Sequence, residues 1–97
     1  MGSEMCIRDR ASYRFNGSGV KVISRKNAGG GRCQIRLDGE LIETVDLYSS
    51  TWIDKAEVFN MQNLSSGSHT IEVVVDGTKN SNSTNFFCVI DRFEITP

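Results

Sequence analysis

The stretch Arg32-Cys33-Gln34-Ile35-Arg36-Leu37 alternates polar and apolar residues without a fault, and Asp38-Gly39 follows at once. No other feature constrains the chain as much. A period of two puts Cys33, Ile35 and Leu37 on one face of a strand. Asp and Gly both tolerate positive φ, so they close a two-residue hairpin whose twist suits its strands. The return strand runs from Leu41 to Leu47. A lone hairpin is marginal in water, so its apolar face must be buried against further strands.

Those strands are legible along the rest of the chain. Tyr13 and Phe15 alternate with Ser12 and Arg14, ending at Asn16-Gly17-Ser18-Gly19. Val20 and Val22 flank Lys21, and Ile23 leads into a polar loop from Arg25 to Gly31. Ala56 to Met61 reads as a strand with Val58 and Phe59 on opposite faces. His69 to Asp76 carries Ile71, Val73 and Val75 on one face. Phe86 to Ile95 closes the chain. There Cys88 and Ile90 share one parity and Phe93 and Ile95 the other, which predicts a bulge near Asp91-Arg92. Val, Ile and Thr total 22 residues against 7 for Ala and Leu, a bias toward strand over helix. Seven strands with regular turns predict an all-β sandwich or barrel. With 97 residues, of which 25 are Leu, Ile, Val or Phe, the chain can build one core.

Charge and hydropathy exclude some partners. Eleven basic residues face twelve acidic ones, for a net charge of −1. No basic stripe points to nucleic acid. No apolar run approaches the roughly 20 residues of a membrane-spanning helix, and no apolar core of a secretory signal is present. Residues 1–10 show neither period two nor period 3.6. Ser3-Glu4-Met5-Cys6-Ile7-Arg8-Asp9-Arg10 resembles translated sequencing-adapter read-through, as at the ends of metagenome-derived reading frames. Residues 1–10 are therefore expected to be a non-native or disordered leader, and residues 11–97 the β-sandwich module.

If each connection reverses the chain, the connections fall alternately at two poles. One pole receives Asn16 to Gly19, Asp38-Gly39 and Gln62 to Ser68, mostly tight turns. The other receives Arg25 to Gly31, Tyr48 to Asp54 and Gly77 to Asn85, which are longer. Rigid sheets presenting longer loops at one end commonly bind there. This pole holds Trp52 and Tyr48, the cations Arg25 and Lys26, and the amides Asn27, Asn80, Asn82 and Asn85. A sugar offers an apolar C–H face and a rim of hydroxyls. An aromatic ring covers the first, and amides and guanidinium groups bond the second. Trp52, Tyr48, Arg25, Lys26, Asn80, Asn82 and Asn85 are the candidate ligand-binding residues. Each has a plainer reading. Trp52 could instead cap the core, Tyr48 pack on the sheet, the cations stay solvated, and the amides form turns.

Other reactive residue types form no site. His69 has no second His, and no Cys or carboxylate at ligand spacing, so zinc is not indicated. No nucleophile, base and orienter converge in the pattern, and neither enzymatic activity nor a cofactor is expected. Cys33 and Cys88 fall on the inward parity of their strands, where small buried hydrophobes are the default. A disulfide between them requires Cα atoms within ~7 Å. Asn16, Asn63 and Asn82 each open an N-x-S/T sequon, inert in a bacterial source.

Several segments in order resemble galactose-binding-domain-like jelly rolls. They are Phe15 to Val22, Ile35 to Gly39, Val45 to Tyr48, Leu64 to Val73 and Val89 to Ile95, and together they span Ala11 to Ile95. The resemblance implies an antiparallel jelly-roll sandwich, here of about seven strands and incomplete at its N-terminus. Complete members carry further strands before Tyr13–Phe15, so this chain is expected to expose a sheet edge and part of its core. The family is non-catalytic and glycan-binding, usually appended to secreted bacterial glycoside hydrolases, with similar modules in adhesins and phage fibres. The resemblance implies a glycan ligand, a covalently linked catalytic domain and a secreted or cell-surface bacterial setting. The alternative is a structural or adhesive spacer. A structural calcium, common in related jelly rolls, would use loop carbonyls.

Overall fold

The computed structural model describes residues 5–7 and 9–97. They form eight strands: β1 (Met5–Ile7), β2 (Arg10–Asn16), β3 (Gly19–Lys26), β4 (Arg32–Leu37), β5 (Glu40–Asp46), β6 (Ile53–Met61), β7 (Ser68–Val75) and β8 (Cys88–Thr96). No helix occurs among the described residues. Two four-stranded antiparallel sheets have the orders β1-β8-β3-β6 and β2-β7-β4-β5. Strands consecutive in sequence mostly lie in opposite sheets, which is the winding of a jelly roll. The all-β sandwich read from the alternation is the fold observed.

The hairpin at Asp38-Gly39 forms as its chemistry dictates, with φ of 52° and 87°. β4 alternates strictly, burying Cys33, Ile35 and Leu37. β2 pairs with β7 without a register shift from Arg10↔Val74 to Asn16↔Ser68. β3 is central in the first sheet and irregular. Its pairing with β8 jumps from Ile23↔Arg92 to Ser24↔Ile90, which leaves Asp91 as the extra residue. The bulge expected from the change of apolar phase is there.

The core lies between the sheets. Val20 and Val22 from the first sheet meet Ile35, Ile71 and Val73 from the second, all fully buried. Each contributes roughly 1.5–3 kcal/mol relative to an exposed side chain. Cys33 on β4 and Cys88 on β8 are joined by a disulfide, with Cα atoms 6.5 Å apart. They are therefore not the free buried thiols that parity suggested by default. Inward parity shows that a cysteine is buried. It does not show which strand of the opposite sheet faces it.

Several boundaries differ from the pattern, and β3 runs on to Lys26, so Arg25 and Lys26 belong to the strand rather than to the polar loop expected from Arg25 to Gly31. β6 begins at Ile53 rather than Ala56, and β8 at Cys88 rather than Phe86. In the segment expected to be a leader, Met5, Cys6 and Ile7 pair with Ile90, Val89 and Cys88 as β1, and Ile7 is buried. Arg10 opens β2. Met1–Glu4 and Arg8 lie outside the described residues. Tyr13 on β2 stacks on Phe93 of β8, ring centroids 5.8 Å apart and planes 6° from parallel. Tyr13 is 47% exposed, so the inner side of the sandwich reaches water between β2 and β8.

Candidate functional site

The strand order gathers residues 27–31, 47–52 and 76–87 at one pole. The turns at 17–18, 38–39 and 62–67 gather at the other. Main-chain bonds lace the longer connections together. Asn27 bridges Tyr48 and Gly30 bridges Phe87, both in parallel sense. Ser49 N–H donates to Asn27 O at 2.9 Å, and Leu47 N–H to Gly31 O at 2.9 Å. On the other side Gly31 N–H donates to Phe87 O at 2.8 Å, Phe87 N–H to Gly29 O at 2.9 Å and Thr84 N–H to Ala28 O at 2.8 Å.

Gly29-Gly30-Gly31 makes this lacing possible. A Cβ at Gly30 would strike the Leu47 carbonyl, and one at Gly31 would lie 2.7–2.8 Å from Phe86 main-chain atoms. Glycine is needed at these two positions for close backbone approach. The buried Ser83 hydroxyl adds a bond to Gly30 O at 2.7 Å. The disulfide sits just below, since Cys33 follows Gly31 by two residues and Cys88 follows Phe87 directly.

Trp52 is 60% exposed, so it does not cap the core. The Arg25 guanidinium carbon lies 4.4 Å from its ring centroid, and the indole N–H donates to Asp54 Oδ1 at 2.9 Å. Arg25 comes from the end of β3 and Asp54 from the start of β6. Lys26 pairs with Ile53 in the β3–β6 register, which brings it beside Trp52. The arrangement is an aromatic ring backed on one side by a cation and fixed at its edge by a carboxylate. It can stack on an apolar face of a ligand.

The amides are used differently. Asn27 Oδ1 accepts from Gly29 N–H at 2.9 Å, Asn80 Oδ1 from Asn82 N–H at 2.9 Å and Asn85 Oδ1 from Phe86 N–H at 2.9 Å. These are local turn bonds of the kind Asn makes readily. Asn80 Nδ2 donates to Asp46 Oδ2 at 3.3 Å. Asn82 is exposed. Tyr48 is half-buried, and its N–H donates to Asp46 Oδ1 at 2.9 Å. Among the described residues no hydrogen bond or ring contact joins Trp52 to Asn80, Asn82 or Asn85. The connections meet through their backbones, and the two groups of side chains remain distinct.

Sequence reasoning missed Phe86 and Phe87 by assigning them to the closing strand. Both lie before β8 and are exposed, 45% and 44%. Lys79 Nζ stands 5.8 Å from the Phe86 centroid. Two adjacent Phe residues directly after an Asn/Ser/Thr-rich loop were the available signal. Neighbouring charges are held in place. The Thr78 hydroxyl, then the Gln34 amide, keep Asp76 below the usual carboxylate range, with Arg32 adding to this. Among the described residues no group of three or more His, Cys, Asp or Glu side chains is placed to hold a metal ion.

The fold and this pole define an antiparallel β-sandwich that presents exposed aromatic residues beside cations on main-chain-laced loops. No family profile and no curated relative matches the chain. Among solved structures it is similar to Paenibacillus xanthan lyase, with a TM-score of 0.62 and 18% identity over 94% of this chain. The match covers 10% of the lyase chain, so this chain spans about a tenth of that protein's length. At that identity the likeness carries the fold.

Proposed function

We propose that the chain is a non-catalytic carbohydrate-binding module of the galactose-binding-like jelly-roll type, which holds a covalently linked catalytic domain near a glycan. The observation that carries this reading is Trp52, exposed at the loop pole and fixed by Arg25 and Asp54. A large apolar ring kept in water and held in one orientation is suited to stacking on a sugar. The similarity to part of a carbohydrate-active enzyme supports the same reading. So does His69, which has both ring nitrogens engaged, by Asp38 and by the Ser65 carbonyl, leaving none to activate a nucleophile. The Cys33–Cys88 disulfide suits a secreted or cell-surface setting, where such bonds persist.

The module would act by raising the effective concentration of its linked enzyme on the polymer. An open loop site encloses little of its ligand, so single-site Kd values of roughly micromolar to millimolar are expected. A glycan array, followed by titration of Trp52 fluorescence, tests the reading. Binding should be lost in Trp52→Ala while the fold is retained. Silence across a broad panel with a folded sample overturns it. One observation favours the alternative of an adhesive spacer: Tyr13, exposed where it stacks on the half-buried Phe93, is an apolar surface away from the loop pole. Such a module would give no glycan response and would associate with protein instead.

A further inference from the structure

Trp52 has a counterpart across β3. Trp52 immediately precedes β6 and Phe87 immediately precedes β8, and β6 and β8 are the two neighbours of β3. Lys26 pairs with Ile53 and Ser24 with Ile90. Both aromatic residues therefore stand near the same end of the same strand, one on each flank. Two inter-strand spacings set those flanks about 10 Å apart. Each ring is backed by its surroundings. Arg25 lies over Trp52, and a Cβ at Gly29 would come within 3.0 Å of Phe87 Cδ2. Both rings keep much of their surface in water. The main chain of Phe87 is already fixed by Gly29 and Gly31. Its placement therefore does not depend on a phenyl ring, and an exposed phenyl there asks for another explanation.

We propose that Trp52 and Phe87 are two platforms of one extended site, which takes a linear oligosaccharide of about three or more residues along the line β6–β3–β8 rather than a single terminal sugar. The proposal rests on the glycan-binding reading above and specifies its ligand class. One sugar ring presents one apolar face and is matched by one aromatic ring. It cannot reach both flanks. A chain of linked rings can, and once it stacks on Trp52 its next contact with Phe87 is intramolecular and correspondingly favoured.

The test is calorimetric titration of the full chain with cello- and galacto-oligosaccharide ladders, from monosaccharide to hexasaccharide. Affinity should rise at least about tenfold between monosaccharide and trisaccharide on the ladder that binds. Phe87→Ala should remove that rise, while Phe87→Tyr should restore it. Trp52→Ala should weaken every member. Equal affinity along the ladder, with dependence on Trp52 retained, overturns the two-platform site and leaves a single-sugar site standing. A rise that survives Phe87→Ala also overturns it. No heat from either ladder, with a folded sample that binds other glycans through Trp52 alone, removes the chain-length claim. No glycan binding of any kind removes the parent reading with it.

Discussion

His69 and Asp38 tie two turns together at the pole opposite Trp52. His69 Nδ1 lies 2.7 Å from Asp38 Oδ2, and Nε2 lies 2.6 Å from Ser65 O. Both partners accept, so the ring satisfies both only as the doubly protonated imidazolium. The Asp38 carboxylate first, and the Ser65 carbonyl second, raise the His69 pKa above its ordinary 6.5. The His69 contact first, and the Thr70 N–H second, lower that of Asp38 below 3.8.

The contribution of His69 is therefore complete below about pH 6.5 and is lost as pH rises through its raised value. That of Asp38 is complete above about pH 4 and is lost as pH falls through its lowered value. Tm should be highest between these limits and decline toward pH 8. His69→Gln should flatten the alkaline decline. Superimposable Tm curves for wild type and variant across that range would show that the pair adds nothing.

Loss of the disulfide should be costly. It closes a separation of 55 residues, which in the chain-entropy view corresponds to about 4 kcal/mol. For a chain of this size that is a fall of about 20 °C in Tm. Paired scans with and without reductant, and the Cys33→Ala/Cys88→Ala variant, measure it. The chain has three cysteines, so the unfolded, unreduced protein should show one titratable thiol, and three would contradict the bond itself.

Gly30→Ala should destabilise the protein by about 1–3 kcal/mol, because the added methyl meets the Leu47 carbonyl where the backbone has little room to yield. The same change at Gly77 meets no atom within 4 Å and is opposed only by its φ of +85°, which should cost about 1 kcal/mol. Denaturant midpoints should rank the two in that order. The reverse order would mean that the lacing of the loops is loose.

Tyr13 and Phe93 connect the open sides of the two sheets through a near-parallel stack. A double-mutant cycle with Tyr13→Ala and Phe93→Ala should return a coupling of about 0.5–1.5 kcal/mol. A coupling near zero would mean that the rings are neighbours without mutual stabilisation.

The strands that alternate cleanly could be read directly, because one of their faces is in the core and the other in water. β4 with its hairpin, β7, and the Asp91 bulge belong to this group. The missed features lack that contrast. Ile53 and Lys55 at the start of β6 are both exposed, and Lys55 has a φ of +54°, so no period marks the segment. β1 is three residues long, too short to show a period. Phe86 and Phe87 look like the start of a strand, but Phe87 exchanges main-chain bonds with Gly29 and Gly31 of the glycine loop, and Phe86 N–H donates to Asn85 Oδ1. The pole itself was legible from loop lengths, because reversal at every connection fixes which loops share an end. Which side chains meet there was not, since Asn80 and Asn85 could equally face a ligand or close a turn.

The three connections at the Trp52 pole are joined mainly through peptide groups, with glycine where they approach most closely. Side chains such as Asn82 and Trp52 are therefore passengers on a frame that does not consult them. New recognition could be written onto this end of the molecule by exchanging those residues, much as lettering is changed on a sign whose post stays in the ground.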